Sequence, residues 1–138
     1  PAESPRRLVP SIIQALARHQ RAPCSSGKQV RDFMDVRDAA IALSALLTSS
    51  LEGPINIGSG QRFSIAEVAT AIDRLMGGHG MIQLGALPDR PHEPRVQFPA
   101  LERMREQLGF VPTIGIESGL QNAIDWWRKA PRRKSGRD

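Results

Sequence analysis

Two arginines are the side chains of this sequence best suited to hold a ligand. Arg31 precedes Asp32 and Arg90 follows Asp89, each at the edge of an irregular segment bordered by glycine or proline. A planar guanidinium with fixed N–H donors matches phosphate or diphosphate oxygens. Taken singly, each arginine reads more readily as a surface or salt-bridged residue, because exposed ion pairs are common and of little energetic consequence. Gly58-Ser59-Gly60 is a second place of interest, since it follows a short apolar run and precedes a helical pattern. Backbone amides in such a setting can cradle an anion. A dinucleotide fingerprint, however, needs a third glycine on the helix side, where this chain has Phe63, so a tight turn is the stronger reading. Gly77-Gly78-His79-Gly80 closes a helical pattern instead of opening one.

Other chemistries find little support. His19, His79 and His92 are scattered without a carboxylate or second histidine at ligand spacing, so no metal site is expected. No serine sits in a Gly-x-Ser-x-Gly elbow. Cys24 is the single cysteine; it excludes an internal disulfide, and a lone thiol with no histidine beside it is most often inert. The chain has no tyrosine, so chemistry that needs a phenolic acid or base is not carried by it. No catalytic residue is assigned.

The elements that must position these residues follow from periodicity. Helices are expected over residues 5–20, 36–48, 64–76, 101–108 and from 115 or 116 to 128. The third is the best signalled, because Ser64 and Glu67 form a Ser-x-x-Glu capping box and Gly77-Gly78 stops it. Short strands are expected within 29–34, at 55–57 and at 81–84, with a proline-fixed loop over 86–94. The helix from Val36 is apolar nearly all round, a pattern that calls for cover on more than one side. Strand and helix alternate, which argues an α/β fold.

Composition sets the outer limits. The 138 residues are 40% hydrophobic with 12 glycines, enough to bury one small core. The net charge of +5 is lopsided: residues 128–138 hold six basic side chains and one acidic, and the remaining 127 balance at 13 of each. A solvated basic tail over 130–138, disordered and separate from a domain at 1–129, is the favoured reading over a nucleic-acid arm. No run of about 18 apolar residues is present to span a bilayer, and a cytoplasmic setting is the default.

The run from Gln29 to Ala40 (QVRDFMDVRDAA), Asn56-Ile57-Gly58-Ser59-Gly60 and Arg90-Pro91-His92-Glu93-Pro94 resemble the C-terminal part of extended short-chain dehydrogenases/reductases. These are the NAD-dependent epimerase/dehydratase enzymes of nucleotide sugars. Arg7-Leu8-Val9-Pro10, Leu108-Gly109-Phe110, Gly119-Leu120 and Ile124-Asp125-Trp126-Trp127 match in order and spacing, so the likeness covers about residues 1–129. The resemblance implies a longer enzyme whose N-terminal Rossmann half binds NAD(P) through a glycine-rich motif and carries a Tyr-x-x-x-Lys pair. Neither motif is in this chain. It is expected to be the substrate-binding half, truncated, inactive alone and binding no cofactor by itself.

By the same resemblance Arg31 and Arg90 clamp the diphosphate of a nucleotide sugar, while Leu8, Val9, Pro23 and Ser25 lie near the base. Helix packing is an equal account of Leu8 and Val9. Glu93 is expected to shape its loop more than to touch substrate. Asp35, Pro99 and Ala100 depart from the family pattern. Expected partners are the nucleotide sugar and a missing Rossmann domain or subunit, with no membrane and no nucleic acid. The alternative is a module that binds nucleotide diphosphates or a subunit without chemistry.

Overall fold

The structure, a computed structural model, describes residues 3–129. The tail expected at 130–138 lies outside them. Its elements run α1 (Leu8–Leu16), β1 (Ala22–Pro23), β2 (Val30–Arg31), α2 (Val36–Leu47), β3 (Phe63–Ser64), α3 (Ile65–Leu75), β4 (Ile82–Gln83), β5 (Val96–Gln97), α4 (Glu102–Glu106) and α5 (Ile116–Lys129). Five helices and short strands make it α/β, as the alternation predicts.

Helix α3 begins where its capping box places it. Ser64 Oγ accepts from Glu67 N at 3.1 Å, and Glu67 Oε2 accepts from Ser64 N at 2.7 Å. Two more first-turn amides are taken by the chain before β2, Ile65 N by Gln29 O at 2.9 Å and Ala66 N by Gly27 O at 3.0 Å. All four donors that a helix start leaves unpaired are thereby accounted for within one turn. Gly27 is required for this approach: its φ is +73°, and a Cβ there would lie 2.8 Å from Ala66 Cβ.

The core forms where α1, α3 and α5 pack together. Ile12 and Ile13 from α1, Val68 and Ile72 from α3, and Leu120 and Ile124 from α5 are all 4% exposed or less. Each such side chain contributes roughly 1.5–3 kcal/mol by leaving water. Two small sheets flank this core. β1 pairs parallel with β4, Ala22 opposite Ile82. β2 lies between β3, antiparallel, and β5, parallel, with Arg31 opposite Phe63 on one side and Gln97 on the other.

Several expectations are corrected. The segment 55–57 is not a strand. No ladder runs beside it; Asn56 Nδ2 donates instead to Ala100 O at 3.1 Å, and the Arg103 guanidinium donates to Pro54 O and to Glu52 O. The strand expected within 29–34 narrows to Val30–Arg31, and β1, β3 and β5 had no clear pattern in sequence. The first helix is shorter than 5–20: a turn precedes it at Pro5, and a reversal follows at His19, whose φ is +54°.

Helix α2 has the exposure its composition implied. Val36, Ile41, Leu43 and Leu47 are 58%, 56%, 52% and 87% exposed, and only Asp38 and Ala42 are buried. What ties it down is polar. Asp35 caps its first turn by accepting from Arg37 N at 2.9 Å, and Asp38 reaches across to the segment before α5.

Candidate functional site

Period-two geometry places Gln29 and Arg31 on one face of the β2 segment, and both reach the proline-rich loop that precedes β5. Arg31 Nη2 donates to Glu93 Oε1 at 2.9 Å, and Arg31 Nη1 donates to the carbonyl of Val30 at 2.8 Å. Its side chain is only 17% exposed. Gln29 Nε2 donates to Asp89 Oδ1 at 3.0 Å and to Glu93 Oε2 at 3.4 Å. Asp89 Oδ1 also accepts from Ser26 N at 2.9 Å. Hydrogen bonding from Ser26 first, and from Gln29 after it, holds the Asp89 carboxyl below the usual carboxylate range.

The expected site residues fall into two groups. Arg31 and the turn bearing Arg90 are brought together through Glu93, whose backbone N donates to Arg90 O at 3.3 Å while its carboxylate pairs with Arg31. Arg90 itself is exposed. Ser25 belongs with them, since its Oγ donates to Gln29 Oε1 at 3.5 Å. Leu8 and Val9 sit on the flank of α1, half-buried against the helical core, and Pro23 is exposed on β1.

Asp32, the neighbour of Arg31, does not pair with it. Its two carboxylate oxygens accept from Ser59 N and Gly60 N, each at 2.8 Å. A carboxylate of the chain therefore takes the amides that could have cradled a phosphate, and Gly58-Ser59-Gly60 is a turn fastened from inside. The residues present do not fit a dinucleotide cradle.

Beside Arg31 opens a groove of about 490 Å³, lined by Met34, Asn56, Ile57, Phe98 and Pro99 among others. The Arg62 guanidinium lies 4.5 Å from the centre of the Phe98 ring, a cation–π contact. Sequence reasoning missed this groove, because its walls come from three segments far apart in the chain. It also passed over Gln29 as a contact, although its spacing of two from Arg31 was a signal.

Among the described residues no group of three or more His, Cys, Asp or Glu side chains could hold a metal ion, and no helix is long and apolar enough to cross a membrane. Cys24 is buried, and burial pushes its thiol up from the ordinary value, which leaves it a poor nucleophile. Guanidinium groups beside an open groove can bind and orient an anion; they supply no acid, base or nucleophile of their own.

Residues 1–58 match the NAD dependent epimerase/dehydratase family. Over 118 residues the chain is 34% identical to UDP-glucuronic acid decarboxylase 1 of Xenopus tropicalis, a match covering 86% of this chain and 28% of that protein. Among solved structures, dTDP-glucose 4,6-dehydratase of Bacillus anthracis in complex with NAD superposes with a TM-score of 0.84 at 26% identity, covering 94% of this chain and 41% of that one. The Bordetella bronchiseptica enzyme WbmF in complex with NAD+ and UDP superposes at 0.74 with 32% identity, covering 89% and 36%. The chain thus spans well under half the length of the proteins it matches. On sequence and fold together, the chain matches the NAD-dependent epimerase/dehydratase family and corresponds to a part of its longer members.

Proposed function

We propose that this chain is the nucleotide-sugar-binding portion of an NAD(P)-dependent epimerase, dehydratase or reductase, with Arg31 and Arg90 holding the diphosphate. The observation that carries the reading is the Glu93 bridge, which sets the Arg90 turn against the strand of Arg31. Both phosphates are anionic before, during and after reaction at the sugar, so these contacts bind and orient without lowering the barrier selectively. Leu8, Val9, Pro23 and Ser25 form the nucleoside side of the site, with Ser25 joined to the clamp through Gln29.

The hydride and proton steps belong to residues outside this chain, which has no tyrosine. NAD(P), when bound to the whole enzyme, accepts and returns the hydride. Its binding groups lie in the part of the family's members that has no counterpart here. The chain alone is inactive and works in a cytoplasmic setting, in keeping with an unpaired Cys24.

The exposed apolar side chains of α2 favour a second component of the reading, association with a Rossmann domain or subunit. A free-standing module that binds nucleotide diphosphates without chemistry shares the arginine pair but leaves this face unused.

Calorimetric titration of the purified chain with UDP-, dTDP-, GDP- and CDP-sugars, after light scattering has established its dispersity, tests the proposal. Saturable binding of one base class is the expected result. A folded, monodisperse chain that binds none of them overturns autonomous recognition.

A further inference from the structure

We propose that Gln29 is the positioning residue that holds the Arg90 turn in place opposite Arg31. The inference rests on the diphosphate clamp proposed above and deepens it.

The turn runs from Arg90 to Glu93 and is closed by Glu93 N donating to Arg90 O at 3.3 Å. Pro91 occupies its second position, and His92, at its third, has φ +62°. That is the pattern of a type II turn, in which glycine or asparagine normally takes the left-handed position. A histidine held there is strained, and such a conformation persists only where the surroundings over-determine it.

Ser26 N holds Asp89 and Arg31 holds Glu93, but one buried amide reaches both ends of the turn. Gln29 is 7% exposed. Its Nε2 has two hydrogens, and the two acceptors in reach are Asp89, immediately before the turn, and Glu93, its last residue. The turn is therefore gripped at both ends from one point. Gln29 is itself fixed, because Ser25 Oγ donates to its Oε1 and its backbone carbonyl accepts from Ile65 N in the first turn of α3. Glu93, so placed, offers its other oxygen to Arg31. Gln29 touches no ligand in this scheme; it sets where the Arg90 guanidinium starts.

The test uses the full 138-residue chain, UDP as probe and NMR order parameters of the Arg90, His92 and Glu93 amides without ligand. Gln29→Met keeps the length and removes both donors. It is expected to lower those order parameters and to weaken UDP binding about tenfold, less than the full loss of two hydrogen bonds to carboxylates because Asp89 and Glu93 keep their other partners. In an Arg90→Ala background the same change is expected to cost less than about twofold, because residues acting through one contact are not additive. Gln29→Glu, which keeps the shape and the acceptor but sets a third carboxylate against Asp89 and Glu93, is expected to lower both readouts at least as much and serves if the methionine variant is poorly folded.

Unchanged order parameters in both folded variants overturn the positioning role. An equal loss of UDP affinity with and without Arg90 also overturns it, since that marks a general packing effect. A wild-type chain with a rigid turn and no affinity for UDP overturns the clamp, and the proposal with it.

Discussion

Asp38 in α2 and Thr113 before α5 are joined by two hydrogen bonds. Thr113 N donates to Asp38 Oδ2 at 3.0 Å and Thr113 Oγ1 to Asp38 Oδ1 at 3.1 Å, with Ile114 N adding a third donor at 2.8 Å. Asp38 is 1% exposed, so its charge depends on these donors in place of water. Asp38→Ala should cost roughly 1.5–3 kcal/mol, the range for hydrogen bonds to a charged group, seen as a lower midpoint in denaturant unfolding. A change below about 0.5 kcal/mol, the size of an ordinary surface substitution, would show that α2 is held by something else.

The two arginines should matter for binding and little for folding. Arg31→Ala and Arg90→Ala should each weaken the affinity for a nucleoside diphosphate sugar by roughly 1.5–3 kcal/mol, as for hydrogen bonds to charged groups. Calorimetry with the base class that binds the unaltered chain measures this directly. Equal affinity in both variants would remove the diphosphate from this part of the molecule.

Glu67 gives a pH dependence of known sign. Hydrogen bonds from Ser64 to its charged form hold its carboxyl below the ordinary value, which is about 4.3 in an unfolded chain. A depressed folded-state value stabilises above that unfolded value, and the stabilisation is lost as pH falls through the folded one. The unaltered chain should therefore exceed Glu67→Gln in melting temperature at pH 6–7, and the gap should close below about pH 4. Asp35, lowered mainly by its hydrogen bond from Arg37, and Asp89 are common to both proteins and cancel in the difference.

Gly27→Ala should destabilise by more than about 1 kcal/mol. It combines a left-handed φ with a Cβ 2.8 Å from Ala66 Cβ and 3.0 Å from Ala66 N, where overpacking typically costs about 1–3 kcal/mol. Ala66 lies in the first turn of α3 and cannot retreat without releasing the carbonyl of Gly27. Thermal unfolding of the variant provides the check.

Ile41→Ser combined with Leu47→Ser should change stability by less than about 0.5 kcal/mol each, as exposed positions do, while reducing self-association in light scattering. Both side chains are more than half exposed. Unaltered scattering would mean that this face of α2 does not mediate contact between copies.

Features were legible in the sequence to the extent that their causes are local. Ser64 and Glu67 fixed the start of α3 because a capping box is complete within four residues. The uncovered state of α2 followed from its composition. The two-residue strands had no such cause: Val96–Gln97 is a strand only because Val30 and Arg31 lie alongside, and two residues show no period. The run at 55–57 had the right composition but no partner. At the site, adjacency misdirected the pairing. Arg31 was read beside Asp32, yet its ion pair is with Glu93, and Asp32 fastens Ser59 and Gly60. Nothing near Gln29 in sequence reveals that its partners lie 60 and 64 positions on.

That separation bears on the order of folding. Ser26 and Asp89, joined through backbone N and carboxylate, are 63 positions apart, and the strands that frame them pair in parallel across similar spans. Contacts that close such long loops form late, after local helices have appeared. The turn that bears Arg90 is thus completed near the end of folding, and no short excised peptide around either arginine can reproduce it. Under the proposed clamp, gain of affinity for a diphosphate marks the moment at which the chain has finished its fold.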